Sequence, residues 1–155
     1  MAVNTIFLAQ HAIAIDKTVD SERPISAEGI KQTQLVARQL LTSSMAISTV
    51  FHSGKLRAQQ TAEIFADTLQ INNLIEIGFL SPNESIALFI QNLTTDKALY
   101  IGHLPHLEKL TSKLVCGDEN AGIVNFQNSS VLCLQNNNEH HWQIQWYATP
   151  ALVAE

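Results

Sequence analysis

Three times along this chain a short apolar run ends in a polar side chain and gives way to a stretch of helical periodicity, which constrains the fold more than any other feature. The first run is Val3-Asn4-Thr5-Ile6-Phe7-Leu8-Ala9, nearly continuous in apolar character, as a strand buried on both faces requires; it passes straight into Gln10-His11-Ala12. The second covers residues 45–52 and turns at Ser53-Gly54 into a helix predicted over residues 55–69. The third, Ala98-Leu99-Tyr100-Ile101, ends in Gly102-His103-Leu104-Pro105, with a helix predicted from Pro105, a residue suited to a first helical turn. Strand, turn and helix repeated in this way imply parallel strands joined by helical crossovers.

The intervening segments agree with that reading. Residues 13–23 form a loop longer than a strand-to-helix connection needs, and Pro24-Ile25-Ser26 then opens a helix capped by Ser26, with Ile30, Ala37 and Leu41 at helical spacing. Gly29 weakens that helix by propensity. Ala58, Ala62, Phe65 and Leu69 form the stripe of the next helix, which leaves Arg57 near its amino-terminal end. Residues 74–77 are predicted as a short strand, followed by a helix with Ile86, Phe89, Ile90 and Leu93 on one face; Leu107, Leu110 and Leu114 mark the helix after Pro105. From Gly122 the pattern changes: Val131-Leu132-Cys133-Leu134, an Asn-rich turn and residues 141–147 read as an antiparallel hairpin. The expected fold is therefore α/β, a three-layer α/β/α sandwich whose central sheet is mostly parallel with a C-terminal antiparallel hairpin. At 155 residues, the whole chain, 1–155, is expected to form a single domain.

Composition narrows the partners. A net charge of -5 argues against a nucleic-acid groove or an anionic membrane surface. No stretch reaches membrane-spanning length, and the N-terminal apolar run ends too soon for a signal peptide. Cys116 and Cys133 lack the spacing of a zinc site or a disulfide framework and are expected to be core thiols, which fits a cytoplasmic location.

If the three strands are parallel neighbours, their carboxyl ends bring Gln10 and His11, Ser53 with Arg57, and His103 to one rim, where open α/β sheets bind ligands. Two imidazoles, a guanidinium and a helix amino terminus suit a tetrahedral oxyanion. Arg57 offers a planar donor fork, one neutral imidazole can attack phosphorus, and the other can stabilise charge on the phosphoryl oxygens.

The stretches Phe7-Leu8-Ala9-Gln10-His11-Ala12, Leu56-Arg57-Ala58-Gln59-Gln60-Thr61-Ala62 and Ile101-Gly102-His103-Leu104-Pro105 resemble the three signatures of the histidine phosphatase superfamily, whose fold is phosphoglycerate mutase-like. Its short length, the Arg23-Pro24-Ile25-Ser26 segment and the closing hairpin make the chain most similar to the SixA-type phosphohistidine phosphatases. The resemblance implies that His11 is the nucleophile that becomes phosphorylated, that His103 is the second catalytic imidazole, and that Arg57 clamps the phosphate, with Gln10 beside it and Arg23 reaching in from the lip. It also implies a phosphohistidine-bearing signalling or phosphorelay protein as partner, phosphate as product, and no cofactor or metal.

Where the family has Arg-His-Gly this chain has Gln10-His11-Ala12. A neutral amide replaces a permanent charge beside the nucleophile, and the alanine methyl is expected to crowd the backbone. A second reading follows, a phosphate- or phosphohistidine-binding module with reduced or lost turnover. Asp16, Glu22 and Glu84 are the candidates for a general acid, none at a motif position; a phosphohistidine substrate relaxes that need because imidazole leaves as a weaker base than an alkoxide. A chain this short has little room to close over a small phosphomonoester. A zinc site built from His11, His52, His103 and His106 is disfavoured by Arg57 in the same crevice, His52 and His106 being read as strand-end and helix-surface residues.

Overall fold

The computed structural model describes residues 2–43, 46–138 and 141–154. Among the described residues six strands form one sheet, in the order β3-β2-β4-β1-β5-β6. β1 (Thr5–Gln10), β2 (Thr49–His52), β3 (Leu74–Glu76) and β4 (Ala98–Gly102) are mutually parallel where they pair, whereas β5 (Val131–Asn138) and β6 (His141–Ala148) are antiparallel additions on the far side of β1. The helices are α1 (Ala27–Leu41), α2 (Leu56–Leu69), α3 (Ile86–Gln91), α4 (His106–Cys116) and α5 (Pro150–Val153).

Period-two alternation along the buried strands divides the core into two layers. Phe7, Ala9, Leu99, Ile101, Val131 and Cys133 face α1 and α2, while Ile6, Leu8, Tyr100, Leu132 and Leu134 face α3 and α4. The three-layer α/β/α arrangement with a mostly parallel sheet and a closing hairpin is thus the observed one. No helix among the described residues is long and apolar enough to cross a membrane.

Five details depart from the sequence reading. The second strand begins at Thr49 rather than at residue 45, because pairing with β4 starts there, at Thr49 opposite Ala98; Ser44 and Met45 lie outside the described residues. α1 buries Gly29, Thr33, Val36, Ala37 and Leu40, leaving Ile30 and Leu41 exposed, so its inner face is turned from the one that spacing indicated. Gly29 explains the rotation: a Cβ there would lie 2.5 Å from the Ile13 carbonyl oxygen, so the glycine lets α1 press against the backbone just after His11. Ser26 caps the helix as expected, accepting from the Gly29 amide. Residues 150–153, which carried few signals, form a short helix capped by Thr149. Cys116, expected in the core, is instead exposed as the last residue of α4, whereas Cys133 is a buried thiol within β5 as expected.

His106 is the fifth departure. Instead of lying on the helix surface it is 1% exposed, edge-on to Phe89 at 5.9 Å, with both ring nitrogens unpartnered. Burial holds its pKa below the usual imidazole value, so the ring is neutral at pH 7. A buried polar group without partners costs about 1–3 kcal/mol. His106→Leu is therefore expected to stabilise the protein by about that amount, read as an increased denaturation midpoint at unchanged m-value. A loss of stability would mean that the imidazole makes an interaction worth more than its desolvation.

Candidate phosphoryl-transfer site

The sheet order makes β2, β4 and β1 consecutive neighbours, and their register brings their carboxyl ends level: Gln10 pairs with Gly102, and His52 with Ile101. His11, Ser53 and His103 follow these ends immediately. Strand adjacency, which spacing alone left conditional, is what brings together residues 46 and 92 positions apart.

His11 is 8% exposed, and its Nδ1 lies 2.7 Å from the Ala12 carbonyl oxygen. A carbonyl can only accept, so Nδ1 carries the proton and Nε2 presents a lone pair. The Arg57 Nε donates to that Nε2 at 3.4 Å. Burial pushes the His11 pKa down to about 4, opposed by the bond to Ala12 and aided by the charges of Arg57 and Arg23. The neighbouring ring, His103, has its centroid 5.1 Å from that of His11 and its Nε2 2.6 Å from Ser53 Oγ. Its pKa is pushed down to about 3, first by burial and then by the charges of His11, Arg57, Lys55 and His106. Both imidazoles are neutral at pH 7, one of them with an available lone pair.

Arg57 enters from the first turn of α2, whose N-cap, Lys55, supplies no side-chain cap to the helix amides. The turn before it passes through Gly54 at φ 89°, a conformation that L side chains avoid. Arg23, also at positive φ, donates from Nε to the Ile15 carbonyl at 3.1 Å, and its charge is felt by His11 and Arg57. The long loop thus puts a second guanidinium at the lip. Gln10 is half-buried with its Oε1 buried and unpartnered.

The structure does not gather the general-acid candidates. The Asp16 carboxylate is engaged by the Thr18 amide and hydroxyl at 2.8 and 2.7 Å, Glu22 is exposed, and the charge of Glu84 bears on His106 rather than on His11 or His103. Nor do the four histidines converge. His52 Nδ1 accepts from the Gly54 amide at 3.1 Å, His106 lies against Phe89, and no group of three or more His, Cys, Asp or Glu among the described residues is arranged to hold a metal. His140 lies outside the described residues.

Ala12 does not strain the site. It is fully buried and is not among the residues with positive φ, so the expected crowding is absent: its methyl packs towards Gly29, where the missing Cβ leaves room. Two residues that the sequence reading passed over hold this segment. Thr61 Oγ1 accepts from the Ala12 amide at 2.9 Å, and Asn128 Nδ2 donates to the His11 carbonyl at 2.9 Å. Thr61 lay inside a quoted motif without a role; Asn128 had no signal beyond a polar run before β5.

The two lowered imidazole pKa values make stability depend on pH with a definite sign. In the unfolded chain both rings protonate near 6.5, whereas in the folded protein they resist until about 4 and about 3. The unfolded state therefore binds more protons between these limits. Stability is intact above about pH 6.5 and falls by up to about 1.4 kcal/mol per pH unit for each ring as pH drops towards 4. Denaturant titrations at several pH values should show a shallower slope for His11→Ala than for the wild type; equal slopes would contradict the lowered value at His11.

The profile of the histidine phosphatase superfamily (branch 1) matches residues 12–79, which includes Arg23 and Arg57. The phosphohistidine phosphatase SixA of Escherichia coli K12 is 31% identical over 121 residues, covering 73% of this chain and 75% of that protein. A structure of the protein histidine phosphatase SixA complexed with tungstate superposes with a TM-score of 0.84 at 26% identity, over 96% of this chain and 99% of the other. Phosphoglycerate mutase from Bacillus anthracis shares the fold, with a TM-score of 0.74 at 11% identity over 97% of this chain and 95% of its own.

Proposed function

Because this chain belongs to the histidine phosphatase superfamily, we propose that it removes the phosphoryl group from phosphohistidine in a signalling or phosphorelay protein, through a phosphohistidine formed on its own His11. The observation that carries the reading is the state of His11: a neutral ring, its Nδ1 proton committed to Ala12, its Nε2 lone pair beside Arg57 on the rim shared with His103.

In the first step Nε2 of His11 attacks phosphorus, the bond from phosphorus to the substrate nitrogen breaks, and the substrate imidazole leaves carrying a proton taken from solvent on its other nitrogen. Arg57, Arg23, His103 and the open amides of α2 face the charge on the phosphoryl oxygens. Water then attacks the phosphorylated His11, phosphate departs and the ring returns to its starting state. The permanent charges that act on His11 and His103, those of Arg57, Arg23 and Lys55, are all cationic. That favours a substrate whose leaving group needs no enzymic acid, as imidazole does and an alkoxide does not.

The second reading, a module that binds phosphohistidine without turning it over, rests on Gln10, a neutral amide beside His11 where the family has an arginine. Rapid quenching during turnover of a radiolabelled phosphohistidine peptide separates the two. A label on the protein, stable to alkali and lost in acid, is expected for the phosphatase. Binding of the peptide with neither label nor release of phosphate would leave the module.

A further inference from the structure

The segment just before β5 is built with more care than a connection requires. Ser129 is fully buried at φ 63°, a left-handed conformation unfavourable for a residue with a Cβ. Three neighbours hold it and its flanks in place. The Ser129 amide donates to the Gln10 carbonyl at 3.1 Å, its hydroxyl pairs with Thr33 Oγ1 at 2.8 Å, and Tyr147 donates to Ser130 Oγ at 2.8 Å while accepting from the Gln127 amide at 2.8 Å. Strand β1, helix α1 and strand β6 thus all brace the turn that carries Asn128.

What this bracing delivers is one hydrogen bond, from Asn128 Nδ2 to the His11 carbonyl at 2.9 Å. That carbonyl and the Ala12 amide belong to the same peptide unit, and the Ala12 amide is held by Thr61 Oγ1 at 2.9 Å. The peptide plane between His11 and Ala12 is therefore gripped at both ends, by elements distant in sequence. On the other side of the residue, the His11 amide donates to the Gly102 carbonyl at 3.1 Å. A peptide plane held at both ends restrains ψ of His11 and φ of Ala12, and so restrains where the Ala12 carbonyl group that accepts the His11 Nδ1 proton sits relative to the imidazole ring.

We propose that Asn128 is a positioning residue for the nucleophile, acting through the His11–Ala12 peptide plane to keep the Ala12 carbonyl on Nδ1 and so keep the Nε2 lone pair aimed into the crevice. The proposal rests on His11 being the nucleophile. It assigns to the turn before β5 a part in catalysis without contact with substrate.

Removing the amide frees the His11 carbonyl end of the plane. Comparable losses of an orienting contact reduce activity about 10–100-fold. Asn128→Ala and the isosteric Asn128→Asp, which at neutral pH cannot donate, should both lose kcat in that range with KM changed less than about twofold, since neither touches the phosphoryl group. The decisive readout is taken on the resting protein: nitrogen NMR of His11 should show the Nδ1-protonated tautomer in the wild type and a mixture in both variants.

Unchanged kcat together with unchanged His11 resonances would overturn the proposal. So would a fall in kcat matched by loss of folded protein with the tautomer preserved, because that is a structural role only. If Asn128→Ala does not fold, the same readings on Asn128→Asp decide. Failure of the nucleophile assignment is a separate outcome, recognised by a wild type that never carries phosphate on His11 whatever its tautomer.

Discussion

His11→Ala is expected to abolish turnover, by a factor on the order of 10⁶, the size of loss seen when the covalent nucleophile of another hydrolase is removed. The magnitude follows from the proposed route: without Nε2 no phosphoenzyme forms, and the donors that remain can only bind the anion. The fold should survive. The His11 side chain bonds to Ala12 and Arg57, contacts whose net contribution is about 0.5–1.5 kcal/mol each, and its burial keeps a titratable ring away from water at some cost. Circular dichroism and the denaturation midpoint check folding, while quenched turnover checks the acid-labile label. A variant that retains both label and rate would remove His11 from the mechanism, and His103 would be the next residue to test.

Gln10→Arg is expected to raise the rate on phosphohistidine peptide or on an aryl phosphate, with most of the gain in the chemical step. Removing one preorganised donor from an oxyanion site costs on the order of 10²–10³ in rate, so supplying a charged donor beside the nucleophile should recover a sizeable part of that factor. The position can change without disturbing the backbone of β1, since Gln10 is already half-buried and its Oε1 has no hydrogen bond to lose. The added guanidinium joins Arg57 and Arg23, whose charges already act on one another, so the unliganded variant should be less stable than the wild type and should regain stability when phosphate or tungstate binds. Arg23→Ala supplies the control. A large gain from Gln10→Arg with no loss from Arg23→Ala means the natural site is short of one cation. No gain, with a large loss from Arg23→Ala, means that Arg23 already fills that place from the lip. Wild type and both variants inactive, yet with peptide bound by the wild type, would support the binding module.

Much of the architecture was legible because it follows from local periodicity. Apolar runs of strand length, helical stripes such as Ala58, Ala62 and Phe65, and the Ser26 cap are properties of neighbouring residues, and their positions agree with the structure. Element ends were less legible because pairing decides them: Thr49, not residue 45, is where the second strand comes into register with β4. Helix faces likewise depend on what they meet. Ile30 has the hydropathy of a core residue, but Gly29 turns towards the Ile13 backbone and carries the stripe round with it.

By itself the sequence determined the alternation of strands and helices, the presence of His11, Arg57 and His103 after strand-like runs, and the exchange of a charged side chain for Gln10. These are matters of residue type and short spacing. Only the tertiary structure decided that β1, β4 and β2 are neighbours in level register, that Nδ1 of His11 is committed to Ala12 so that Nε2 keeps the lone pair, that His106 is buried, and that Asn128, from a loop 117 residues away, grips the peptide after the nucleophile. Each depends on which distant surfaces meet and on which donors and acceptors burial leaves within reach, and a linear pattern of hydropathy does not encode that.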